Sequence, residues 1–181
     1  MSLHKHPELK EAVLRLPQKE KDKLLVRLIG KDKMLMKQLH FQLLEDQVDL
    51  ADRIEGLKQQ LSTLLSDSRN RVKNLPVFSS YKELHAVLRQ ASGLINEHEK
   101  ITKDRFSEVE CRLLILKEAF ERYPRLFEGS ALYSAQKLKE YTKGRLKTTI
   151  NKYEKLHEDL QFDLRELADA VREFAEEKQL A

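Results

Sequence analysis

Glu154 and His157 stand three residues apart, on one face of a helix, and are the chain's single Glu-x-x-His pair. Bundle proteins assemble two-metal carboxylate sites from two such pairs and two further inward carboxylates on facing helices. The second pair is missing here. Glu97, His98 and Glu99 are adjacent in sequence, and neighbours on a helix point to different faces. A metal-dependent helical-bundle enzyme is thus the third reading, with Glu154 and His157 as its candidate ligands. The simpler account puts both on a solvated edge beside the apolar stripe. His98 lies in such a stripe, next to Thr102, and a polar group in a packed seam more often fixes register than performs chemistry. His40, beside Phe41, reads as a neighbour of the Leu39 and Leu43 face, and His4 with His6 is too short a tract to read as a metal site. Cys111, between Val109 and Leu113, reads as an ordinary helix-side residue. No Ser/His/Asp order, Gly-rich phosphate loop or HExxH motif occurs, so no catalytic residue and no cofactor are expected.

Charge carries more information. Between Lys137 and Lys155 seven bases (Lys137, Lys139, Lys143, Arg145, Lys147, Lys152, Lys155) face two acids, Glu140 and Glu154. Tyr141 and Tyr153 lie among them, so the segment has the phosphate-contacting and base-stacking groups of a nucleic-acid surface, with Arg69, Arg71 and Lys73 as its candidate extension. Against that, the bases are spread around the helix, and both tyrosines lie close to the apolar seam. From Glu158 to Lys178 the sign reverses, with eight acids against three bases. Two uses follow from this polarity: internal pairing with the mixed charges of Asp104 to Arg122, or a head-to-tail homodimer joining basic and acidic halves.

The elements that would position these groups are helical. The chain has no Trp, 5 Gly and 4 Pro, with 40% hydrophobic and 35% charged residues, the profile of long helices. All four prolines mark boundaries, leaving Phe78 to Tyr123 and Ser130 to Ala181 without a strong breaker. Continuous helices there would be roughly 60 to 75 Å long. Pro7 and Pro17 open two short helices, Gly30 is placed for a left-handed C-terminal cap, and a third helix follows with Leu35, Leu39 and Leu43 on one face. These three can close a small core.

Leu50, Ile54, Leu57, Leu61 and Leu64 alternate spacings of four and three, a coiled-coil-like seam that fades after Ser66. Ser80 and Glu83 have the spacing of a capping box. The stripe from Leu84 to Phe120 contains two consecutive spacings of four around Thr102, and without Gly or Pro to stop the helix a continuous one that shifts its packing is the favoured reading. A last stripe runs from Leu132 to Phe174.

These patterns predict an all-α fold: a small N-terminal helical head over 7–45 and an elongated antiparallel bundle of long helices over 46–181. The expected function is a non-enzymatic interaction or scaffold protein presenting helix surfaces to a protein partner or to a second copy of itself. A nucleic-acid-binding protein using 137–155 is the alternative. A single cysteine excludes an intrachain disulfide, no apolar run is long enough for a membrane span, and the start of the chain lacks a signal-peptide core, so a cytoplasmic protein with no membrane partner is expected.

Overall fold

The computed structural model describes residues 5–180, apart from the side chains of residues 70, 71, 73 and 74. His4 and the side chains of Arg71 and Lys73 therefore lie outside the described residues. Among these the secondary structure is helical, without a strand, and the helices pack against one another. The chain divides into two compact units, one ending at Glu45 and one beginning at Asp46.

The first unit holds α1 (Pro7–Leu14), α2 (Gln18–Ile29) and α3 (Lys33–Leu44). Pro7 sits in the first turn of α1, where its missing N–H costs nothing, and Pro17 precedes α2. Asp32 caps α3 by accepting from the backbone N–H groups of Met34 and Leu35 at 2.9 and 3.0 Å. Two expectations fail here. Gly30 is right-handed, with φ −63°, so α2 ends without a left-handed cap. None of the three helices contains a buried residue, and Leu24, Ile29, Leu35 and Leu39 are only half-buried, so the three helices close no fully buried core.

The second unit holds α4 (Gln47–Asn74), α5 (Val77–Thr102), α6 (Arg105–Arg122), a 3-10 turn (Pro124–Phe127), α7 (Tyr133–Tyr153) and α8 (Glu158–Glu177). Asp46 and Asp49 form a reciprocal capping box that starts α4. That helix runs on through Ser66 to Asn74, past the point where its stripe fades. At 28 residues it is the longest described, roughly 40 Å. The capping box at Ser80 and Glu83 is not formed. Helix α5 starts at Val77, directly after Pro76, and the buried Ser80 hydroxyl instead donates to the Val72 carbonyl at 3.2 Å.

Both long breaker-free stretches are interrupted. Between α5 and α6, Lys103 adopts φ 58° and its N–H returns to the Glu99 carbonyl at 2.8 Å. Asp104 then caps α6 by accepting from Ser107 N–H at 3.1 Å, while the Thr102 hydroxyl donates to His98 O and accepts from Asp104 N–H. The continuous helix through His98 to Phe106 is thereby overturned. The two spacings of four mark a place where the stripe folds back. Between α7 and α8, His157 is the N-cap residue, and the Gln161 side chain covers the Leu156 and Glu154 carbonyls at 2.8 and 3.3 Å. Rods of 60 to 75 Å do not form.

The core of this unit is built from the expected stripes: Leu57 and Leu61 of α4, Leu84, Leu88 and Ile95 of α5, Val109, Leu113 and Phe120 of α6, Leu138 and Leu146 of α7, and Leu164 and Val171 of α8. Phe120 stacks on Phe174 at 4.3 Å between ring centres and meets Phe127 edge-on at 5.0 Å. A residue with a Cβ pays a steric penalty in the left-handed conformation, of about 1 kcal/mol, which glycine avoids. Lys103→Gly should therefore stabilise the protein by about 1 kcal/mol, seen as a higher urea midpoint at unchanged slope.

Candidate functional site

Burying a carboxylate requires charge partners and hydrogen bonds, and Glu108 of α6 has both. It is 3% exposed. Arg112, one turn on and also buried, reaches it at 2.8 Å through Nη2 and 2.9 Å through Nε. Arg112 also donates to the Asn96 side chain of α5, and Lys152 of α7 donates to the same Glu108 oxygen. The Glu108–Arg112 pair thus joins three helices. Beside Glu108, Val109 and Lys152 a cleft of about 330 Å³ opens, also lined by Glu99, Arg105, Lys155 and Leu156.

His98 sits where the stripe predicts, 8% exposed, with Nε2 3.0 Å from the Ser107 hydroxyl across the α5–α6 turn. Burial holds its pKa below the ordinary value; Arg53 adds to this, while Asp104 and Glu108 oppose it. Thr102 is half-buried and spends its hydroxyl on the turn. His85 is likewise held low by burial and by the charges of Arg89 and Lys137. Cys111 is fully buried, and burial pushes its thiol up to about 12, far from a reactive thiolate.

The basic segment is dispersed. Lys137 is exposed, and its hydrogen bond to Glu140 raises its pKa; Arg145 lies over the Tyr141 ring at 5.1 Å. Lys152 is committed to Glu108. Lys139 is half-buried, Lys155 lines the charged cleft just described, and Lys143 and Lys147 border another cleft between α7 and α8. The tyrosines are not presented for stacking. Tyr141 donates to Ser92 at 3.0 Å, and the buried Tyr153 donates to the Gln161 carbonyl at 2.9 Å. Arg69 is exposed on α4. Charges of opposite sign meet inside the unit, Lys152 with Glu108 and Arg172 with Glu154 at 3.3 Å.

Glu154 and His157 are both exposed. Glu154 turns to Arg172, and His157 Nδ1 accepts from Asp159 N–H at 3.4 Å. No group of three or more metal-ligating side chains occurs among the described residues. His40 is exposed and lies 2.7 Å from Glu45. The Glu108 cluster is what the sequence reading missed. Glu108 and Arg112 have the i, i+4 spacing of a helix ion pair, but that spacing is common on exposed faces and says nothing of burial.

No family model, curated protein or solved structure matches the chain.

Removing one partner of a buried ion pair leaves the other charge uncompensated. Glu108→Ala should lower stability by about 3 kcal/mol by urea unfolding, and pairing Glu108→Leu with Arg112→Leu should recover most of that loss. The histidines set a pH dependence. The folded pKa values of His85 and His98 lie below the unfolded value near 6.5, so the unfolded state binds protons first as pH falls. Their contribution is complete above pH 6.5 and is lost as pH drops through the window beneath it. The urea midpoint should therefore fall from pH 7.5 to 5.5, and less steeply in His98→Gln.

Proposed function

We propose that this chain is a non-enzymatic helical interaction protein whose N-terminal unit presents apolar helix surface to a protein partner. The observation that carries the reading is the lack of a core in that unit. Leu9, Leu14, Leu25, Val26, Leu28, Met36, Leu43 and Leu44 are all between 46% and 74% exposed. Single exposed leucines are ordinary, but three successive helices with half-buried stripes and no buried residue leave apolar surface for a partner to cover. Covering one such leucine contributes about 2 kcal/mol, so a few suffice for a specific complex.

Charge supports the same unit as the docking element. Residues 5–45 contain ten bases and six acids, while residues 46–181 contain 24 of each. The whole net charge of +4 thus belongs to the coreless unit, which favours a partner with an acidic rim around an apolar surface. The same balance weighs against the nucleic-acid alternative through 137–155, because those bases belong to a neutral unit and Lys137 and Lys152 already face carboxylates. A cytoplasmic setting fits a chain whose single cysteine is a buried thiol.

The test compares wild type with a variant carrying Leu25→Gln, Leu28→Gln and Leu43→Gln, each purified with bound proteins from native cells. The variant should keep its helix content and urea midpoint, and a protein retained by wild type should drop at least tenfold. Identical sets of bound proteins would defeat the reading.

A further inference from the structure

Helices α5 and α7 place two ladders of rings and cations side by side. On α5, Phe78, Lys82, His85 and Arg89 follow at spacings of four, three and four, and on α7, Tyr133, Lys137, Tyr141 and Arg145 follow at spacings of four, so each set keeps to one side of its helix. The His85 ring meets the Tyr141 ring edge-on at 4.8 Å, which joins the ladders. Lys82 lies over Phe78 at 4.1 Å, Lys137 over Tyr133 at 5.4 Å and Arg145 over Tyr141 at 5.1 Å. A ring holds a cation without cancelling its charge. Lys137 also pairs with Glu140, but among the described residues Lys82, Arg89 and Arg145 pair with no carboxylate. Besides burial, the charges of Arg89 and Lys137 both act on His85, so the positive field of the two helices converges.

The matching negative charge lies on α8. Asp163, Glu166 and Glu173 share the face opposite the buried Leu164, Ala168 and Val171; all three are exposed, and among the described residues none meets a cation. Phe162 stands in the same face, 69% exposed, with Arg165 over its ring at 5.4 Å. The second unit carries 24 bases and 24 acids, so the charge left unpaired on one of its faces is matched by opposite charge left unpaired on another. Among the described residues no ion pair joins these two faces within one chain. We propose that a second copy of this chain joins them: the α8 face of each copy docks on the α5–α7 face of the other, carboxylates toward Lys82, Arg89 and Arg145, and Phe162 against the exposed Phe78 and Tyr133. A two-fold pair makes this contact twice and leaves neither face open. Its aromatic anchors supply affinity, and the charges around them set orientation and encounter rate. The leucines of the N-terminal unit take no part.

Sedimentation equilibrium of the full chain at about 0.05 M and about 0.5 M salt is the test. Wild type should be a dimer at the lower salt and associate about tenfold more weakly at the higher. Lys82→Glu with Arg89→Glu should be monomeric by itself, as should Asp163→Lys with Glu166→Lys. An equimolar mixture of these two variants should dimerise, because each reversed face then meets its opposite. The variant carrying Leu25→Gln, Leu28→Gln and Leu43→Gln should remain a dimer. A wild-type monomer, whether or not it retains a single-stranded oligonucleotide, a dimer indifferent to salt, or a mixture that stays monomeric although both variants keep the wild-type circular dichroism spectrum would overturn the assignment. The salt comparison uses unmodified protein, so it decides the matter even if a variant misfolds.

Discussion

The apolar stripes of α4 to α8 are buried against one another, and that constraint determines where the backbone turns. A continuous helix from Phe78 to Tyr123 would carry half of its stripe beyond the reach of the other half. The break at Lys103–Asp104 lets α6 return along α5, so His98 meets Ser107 and, farther from the turn, Asn96 meets Arg112. The left-handed Lys103 costs on the order of 1 kcal/mol, which is small beside the burial of Ile95, Val109, Leu113 and Leu116 that the turn permits. A second break at residues 154–157 lets α8 pack against α6, where its Phe174 reaches the Phe120 and Phe127 rings.

Once the stripes are paired, the polar groups trapped between them select one register. Leucine against leucine tolerates sliding by a turn; a buried carboxylate does not. Glu108 must meet Arg112 and Lys152 together, and Arg112 must meet Asn96, so α5, α6 and α7 are aligned by one set of bonds. Ser68 adds a second tie, lying 2.8 Å from the Tyr123 hydroxyl and joining α4 to the end of α6. Such groups contribute little net stability compared with well-packed apolar residues of the same volume, so alignment is the role that accounts for them.

How much of this was legible varies with the kind of signal. The stripes were, since Leu57, Leu84, Leu113, Leu138 and Leu164 occupy the core that their spacing predicts. The turns were not, because a reading that takes Gly and Pro as the punctuation overlooks capping by ordinary polar residues. Thr102, Asp104 and Ser107 close one helix and open the next through side-chain bonds, and His157 and Gln161 do so at the other break. Asp104 followed by Ser107 and Glu108 has the composition of a helix start, and Asp46 with Asp49 has it more clearly. The Glu108 cluster was illegible for a different reason: its partners come from three helices, so it exists only after the turns are made.

The two units solve the same physical problem differently. The second buries its stripes and balances its charge, so its surface has little long-range field and its core holds its own shape. The first does neither. Each of its helices has a local reason to form, Pro7, Pro17 and Asp32 at their starts, yet their apolar faces are at most half-buried and their charges do not cancel. Exposed leucines together with a net positive field fit the interaction role proposed above. In that role charge would accelerate the encounter and leucine burial would prolong it. The unit with the simplest helix punctuation is thus the one whose helices hold no buried residue: capping starts a helix, but only packing gives it an interior.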